Sequence, residues 1–262
     1  MSEPQYDVVG DLYRQYKTTA TAPIPERRLF LDLVGDLRGR RVLDLATGYG
    51  AYARTARELG AAEVVGVDVS SEMVHRAEAV TDDDAVSFRT ADALDLPDLG
   101  LFDTVTAIWL FNYARSPHEM NAMFAGAARA LEPGGRLVAI TVNPGYDVHG
   151  DDWTRYGLTV HAADPAPARH DLRIALLAPD AEIPLSMARW DASVYDDAAE
   201  AAQLTPPVWS LPTVPDGERA CRPDGYWDTA LNNPFPAGLT TTRLVTGAAG
   251  HGLAFRNRRG GL

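Results

Sequence analysis

Residues 42–54 read VLDLATGYGAYAR. Val42, Leu43 and Leu45 make a short apolar run of the kind a strand covered on both faces requires. Ala46, Thr47, Gly48 and Gly50 follow as a turn with almost no side-chain bulk, and Ala51 to Leu59 read as a helix. A strand, a small-residue turn and a helix N-terminus bring backbone N–H groups to the edge of a crevice in which a ligand can lie. The strand carries one carboxylate, Asp44.

The flanking chain repeats this alternation. Leu29, Phe30, Leu33 and Leu37 fall at helical spacing in residues 26–37, ahead of the first strand. AEVVGVDVS gives a second strand over 63–68 ending in Asp68, and Ser70 or Ser71 caps the next helix. AVSFRTADA is a short third strand, and FDTVTAIWLFN a fourth that is apolar on both faces. SPHEMNAMFAGAARAL is a helix burying Met120, Met123, Phe124 and Leu131, stopped by EPGGR before a fifth strand, RLVAITVN. This order predicts a doubly wound, mostly parallel α/β domain over residues 26–145, with its ligand at the carboxyl edge of the strands. Residues 1–25 are expected to form an N-terminal lid helix whose Tyr6, Tyr13 and Tyr16 lie on one stripe. Residues 146–187 are expected to form a β-rich cap with two strands, GLTVHAA and DLRIALLA. Residues 188–245 return to the core sheet, with a helix in WDASVYDDAAEAAQL capped by Ser193 and a late strand in PPVWSLPTV. Residues 246–262, rich in glycine and arginine, are expected to be a frayed tail.

Composition narrows the function classes. With 262 residues and 46% hydrophobic side chains the chain can bury a full-sized core. Its net charge of −12 repels an extended polyphosphate, which argues against a nucleic-acid partner. One cysteine, Cys221, excludes an intramolecular disulfide and a cysteine-built zinc site. The first residues lack a basic stretch followed by an apolar one, and no apolar run reaches the ~18 residues of a membrane span. The expectation is a cytoplasmic monomer or homodimer acting on a small molecule, with no membrane and no nucleic-acid partner.

The ligand can be narrowed further. A pyrophosphate-binding turn wants G-x-G-x-x-G, whereas this one reads A-T-G-Y-G after Asp44, whose carboxylate suits a ligand bearing an ammonium group. Asp68, about 20 residues downstream of the turn, stands where a carboxylate accepts ribose hydroxyls. S-adenosylmethionine meets both requirements better than NAD does. In these residues the chain resembles a class I S-adenosylmethionine-dependent methyltransferase. VLDLATGYG resembles the first motif of that family, with Ala46 where a glycine is usual, so ordinary backbone angles are expected there. VVGVDVSSEMV, TADALDLP, FDTVTAIWLFNYA and LEPGGRL are similar to the later motifs, in order. The resemblance implies a seven-stranded Rossmann-like sheet, S-adenosyl-L-methionine as donor and S-adenosyl-L-homocysteine as product. It places Asp68 on the ribose, Met73 on the adenine and Asp92 near the adenine amino group. Tyr13, Tyr16, Asp44, Ala46, Gly48, Gly50, Val69, Ala93 and Leu110 complete the expected donor site. IWLFNYA, WDASVY and YWDTALNNPFPAGL further resemble bacterial natural-product methyltransferases of the toxoflavin N-methyltransferase type.

The acceptor side is assigned from residue type. Asn112 and Tyr113, at the end of the fourth strand, are the candidates for orienting the acceptor, with His149 the best-placed general base beyond strand five. Phe111, Tyr146, Trp153, Tyr156 and Trp190 suit a flat apolar acceptor under a cap, although each also suits plain packing. Asp147, Asp151 and Asp152 are read as a solvated acidic loop and no metal site is expected. The reaction these features predict is methylation of a ring nitrogen or nucleophilic ring carbon of a small aromatic heterocycle. The alternatives are O-methylation of a small phenol, a nicotinamide-dependent oxidoreductase and a cofactor-binding regulatory protein without turnover.

Overall fold

The computed structural model describes residues 10–150 and 152–245. Tyr6, Asp151 and the tail at 246–262 lie outside the described residues. The first element is helix α1 (Gly10–Thr19), followed by α2 (Pro23–Val34), whose Leu29, Phe30, Leu33 and Val34 are buried. The alternation then runs β1 (Arg41–Leu45), α3 (Ala51–Glu58), β2 (Glu63–Asp68), α4 (Ser71–Ala79), β3 (Val86–Thr90), β4 (Phe102–Ile108), α5 (Pro117–Ala130) and β5 (Leu131–Val142). Ser70 caps α4 by accepting the Met73 N–H, and Ser116 caps α5 by accepting that of Glu119.

A three-stranded antiparallel sheet is inserted next: β6 (Leu158–Ala166), β7 (Arg169–Ala178) and β8 (Ala181–Trp190). The chain returns through α6 (Ala192–Ala201), β9 (Val208–Ser210), α7 (Asp216–Ala220), α8 (Asp228–Asn232) and β10 (Pro236–Thr242). The main sheet has seven strands in the order β3-β2-β1-β4-β5-β10-β9, with β10 antiparallel to both neighbours and the first five strands mutually parallel. The strand order reverses between β1 and β4, so their carboxyl ends open a crevice at the switch point. Val42, Leu43, Val105, Leu137 and Val138 are fully buried, as a sheet covered on both faces demands.

Three local expectations need correction. The inserted sheet has a third strand, β8, whose Ile183, Leu185 and Met187 alternate inward; Pro184 is tolerated because β8 is the sheet edge. The α6 helix starts at Ala192 behind Asp191, so Ser193 sits in its first turn and does not cap it. The fourth strand stops at Ile108. Trp109 takes φ +61° and the chain folds into a 3-10 turn, Phe111–Tyr113, instead of continuing extended.

Candidate donor crevice and acceptor cavity

The turn after β1 is shaped by three residues in the left-handed region: Ala46 at φ +55°, Gly48 at +54° and Gly50 at +79°. The ordinary angles expected for Ala46 are therefore not adopted, and the backbone bears a cost of about 1 kcal/mol there. Gly50 is needed for a second reason, since a Cβ on it would lie 2.6 Å from the Phe88 ring. A Cβ on Gly48 would meet nothing within 4 Å, so the backbone at Gly48 is bare toward the crevice.

Two carboxylates hold this turn from different sides. Asp44 is buried beneath it and accepts hydrogen bonds from Thr47 Oγ1 at 2.7 Å and Thr106 Oγ1 at 2.6 Å. Burial pushes its carboxyl up to about 6, against the lowering effect of those hydroxyls. Asp68, at the end of β2, accepts the Gly48 N–H on Oδ2 at 2.8 Å and the Ser70 N–H on Oδ1 at 3.0 Å. Asp68 thus ties the glycine turn to the start of α4.

Asp68, Gly48, Val69, Met73, Asp92, Ala93, Leu110 and Tyr113 border one crevice of about 360 Å³. The Oδ1 of Asp92 accepts the Leu94 N–H at 2.9 Å, and the residue stays exposed. A second, more polar crevice of about 660 Å³ extends from Ala46, Thr47 and Gly48 along α1 and α2. Behind both lies a small apolar cavity of about 40 Å³ against the inserted sheet, lined by Trp153, Ile174, Leu185, Met187 and Phe235. Tyr13 and Trp109 border all three spaces, and Tyr16 borders the small cavity. Trp109 stacks on Phe235 with centroids 5.8 Å apart. Burial first, then Glu26 and neighbouring tyrosines, raises the Tyr13 hydroxyl well above its ordinary range, so it stays a neutral phenol.

Other expected residues are placed elsewhere. Asp44 and Gly50 border none of these spaces and support the turn from behind. Phe111 is fully buried, stacked on Phe124 at 4.5 Å and edge-on to Tyr195, because the left-handed turn at Trp109 directs it into the core. Asn112 is fully buried with its Nδ2 donating to Met187 Sδ at 3.9 Å, and it borders none of these three spaces. Trp190 packs in the core beside α6, with the Arg169 guanidinium 5.5 Å from its ring centroid. Tyr146 is buried edge-on to Phe235. Tyr156 is a framework residue, its hydroxyl donating to the Tyr226 carbonyl at 2.6 Å and its ring stacked on Trp227. His149 is exposed in a loop, its N–H bonded to Asp147 Oδ1, and lines none of the three spaces. Among the described residues no group of three His, Cys, Asp or Glu side chains is placed to hold a metal ion, and no helix is long and apolar enough to cross a membrane.

Residue-type reasoning passed over Trp109, Lys17 and Glu26. The signal for Trp109 was its position one residue beyond β4, where a large aromatic faces the crevice. Lys17 and Glu26 form a buried ion pair at 2.6 Å on the wall of the small cavity, nine residues apart on two different helices. Burial pulls the Lys17 ammonium down, but Glu26 outweighs it and the net shift is upward.

Residues 42–135 match the family described as a methyltransferase domain. The demethylmenaquinone methyltransferase of Thermus thermophilus is 36% identical over 146 residues, covering 54% of this chain and 62% of that protein. A ubiquinone biosynthesis O-methyltransferase of Xanthomonas oryzae is 33% identical over 112 residues, 41% of this chain and 45% of that one. The chain thus spans less than two thirds of these curated relatives. The solved structure of the methyltransferase CcbJ from Streptomyces caelestis superposes with a TM-score of 0.65 at 19% identity, covering 92% of this chain and 98% of that one. The seven-stranded sheet, its strand order and the switch-point crevice are those of the Rossmann-like methyltransferase fold, here carrying an antiparallel three-stranded insertion.

Proposed function

We propose that this chain is an S-adenosylmethionine-dependent methyltransferase that methylates a ring nitrogen or nucleophilic ring carbon of a small aromatic heterocycle in a natural-product pathway. The observation that carries the donor assignment is the joining of Asp68 to the Gly48 N–H at the rim of the 360 Å³ crevice. The residues fit that donor. Asp68 suits the ribose, Met73 and Leu110 give apolar walls for the adenine, and bare backbone at Gly48 admits the chain beyond the sugar. The polar crevice along Ala46, Thr47 and Tyr49 suits the amino-acid end. When bound, the donor supplies an electrophilic methyl group on a sulfonium that departs as a neutral thioether.

The rest falls to the chain's own side chains. Trp109 and Tyr13 border donor crevice and apolar cavity alike, so an acceptor ring held against Trp109 lies next to the donor space. Trp153, Leu185 and Phe235 exclude water from that side. Alignment and dehydration of this kind can contribute several kcal/mol to a displacement reaction. To Tyr113, on the rim of the donor crevice, we assign the orienting of the acceptor by its hydroxyl. The net charge of −12 supports a small-molecule acceptor over a nucleic acid.

Calorimetry with S-adenosylhomocysteine tests the donor site: Asp68→Ala should weaken binding by about 1.5–3 kcal/mol, the scale for lost charge-assisted hydrogen bonds. Unchanged affinity refutes the ribose assignment, and tight NADH binding in its place refutes the donor class. Incubation of the protein and isotopically labelled donor with a metabolite extract, followed by mass spectrometry, tests the acceptor. Label on a hydroxyl oxygen of a phenol would move the assignment toward the O-methyl chemistry named for the Xanthomonas oryzae relative. Donor binding without label transfer to any metabolite would favour a regulatory role.

A further inference from the structure

The apolar cavity has one charged edge. Glu26, in the first turn of α2, is buried, with its side chain 6% exposed, and it borders the cavity with Lys17. Its Oε1 accepts from Lys17 Nζ at 2.6 Å and from the Tyr52 hydroxyl, and its Oε2 accepts from Lys17 Nζ at 2.9 Å. A carboxylate has about four lone-pair positions. Three are used, so among the described residues one position on Oε2 has no partner.

We propose that this position is the recognition point for the acceptor, taking a hydrogen bond from a neutral aromatic ring that presents an N–H or O–H at its edge. The inference rests on reading the apolar cavity as the acceptor chamber. Size supports it: about 40 Å³ holds roughly three waters, or the edge of one ring, while the ring's body lies against Trp109 and Tyr13 toward the crevices. Charge supports it too. Lys17 neutralises Glu26, so a cationic amine entering here meets an ammonium group a few ångströms from the carboxylate, whereas a neutral donor meets no such repulsion. An acceptor without a donor would leave a buried carboxylate position unpaired.

Benzimidazole and 1-methylbenzimidazole share a ring system and differ in one N–H, which makes them a matched probe pair. Isothermal titration of the protein saturated with S-adenosylhomocysteine should show about tenfold tighter binding of benzimidazole. The double variant Lys17→Met/Glu26→Leu removes both charges together and should bind the two probes equally. Its melting temperature and S-adenosylhomocysteine affinity report whether the fold and donor site survive. If it does not fold, Glu26→Gln keeps a carbonyl for Lys17 and Tyr52 while presenting an amide N–H, and should lose the preference. Equal affinities in the wild type, binding of neither probe, or a preference that persists in the variants overturns the proposal; persistence would mark the preference as steric. Failure of the wild type to bind S-adenosylhomocysteine defeats the donor reading instead, and the probe comparison on the unliganded protein then stands or falls by itself.

Discussion

Asp44→Asn should stabilise the protein at neutral pH and weaken its donor site at the same time. Asp44 is a buried carboxylate whose folded-state pKa, about 6, lies some two units above its ordinary 3.8. The folded protein therefore binds this proton more tightly than the unfolded chain does. The sign follows: the contribution to stability is full below about pH 4 and is lost as pH rises through about 6. Two pKa units correspond to about 3 kcal/mol, of which about 1.4 kcal/mol falls between about pH 5 and pH 8. Asparagine cannot ionise, and the Thr47 and Thr106 hydroxyls can rotate to serve its amide. Urea unfolding of both proteins across that range should show the variant gaining about 1.4 kcal/mol relative to the wild type as pH rises. The same variant should bind S-adenosylhomocysteine more weakly by calorimetry, because the negative charge beneath Thr47 is gone. A common pH slope in the two proteins would refute the buried-ionisation argument. Parallel slopes together with unchanged affinity would reduce Asp44 to a hydrogen-bonding brace.

Three further outcomes can be checked with simple variants. Tyr113→Phe should lower turnover more than donor affinity, since its hydroxyl is assigned to the acceptor; steady-state kinetics beside calorimetry separates the two. Phe111→Ala should cost about 3–5 kcal/mol in urea unfolding, the scale for emptying a buried aromatic site, because the ring stacks on Phe124 in the core and borders none of the three spaces described. Methyl transfer should persist after prolonged EDTA treatment: Asp147 and Asp152 accept local N–H groups at His149 and Thr154 and converge on no common point among the described residues. Loss on chelation with recovery by magnesium would overturn that.

The sheet core was legible because its strands are buried on both faces, so Val42, Leu43, Val64, Val65 and Val105 leave apolar runs that side-chain identity alone reveals. The carboxylates were legible for a related reason: Asp44 and Asp68 interrupt those runs at strand ends, where a charge is costly without a purpose. β10 was harder, since Pro236, Gly238 and three threonines give no strand pattern, and its pairing with β5 is a long-range fact. Backbone strain left no trace at all. Alanine at 46 and tryptophan at 109 both prefer ordinary angles, yet both sit in the left-handed region at the carboxyl ends of adjacent strands β1 and β4. Tertiary contacts impose this: the Thr47 N–H is drawn to the Val67 carbonyl, the Trp109 N–H to that of Ile140, and the Trp109 ring to Phe235. Glu26 was hidden differently. An acidic residue in a first helical turn reads as ordinary dipole compensation, and its partners Lys17 and Tyr52 come from α1 and α3. Of the four non-glycine residues with positive φ among the described residues, Ala168 and Gln203 lie in the connections after β6 and α6, whereas Ala46 and Trp109 both border the donor crevice, and Trp109 and Glu26 both border the apolar cavity. At Ala46 and Trp109 local preference gives way where the proposed chemistry requires a fixed backbone, as a fold does when it gives up local stability to build a site.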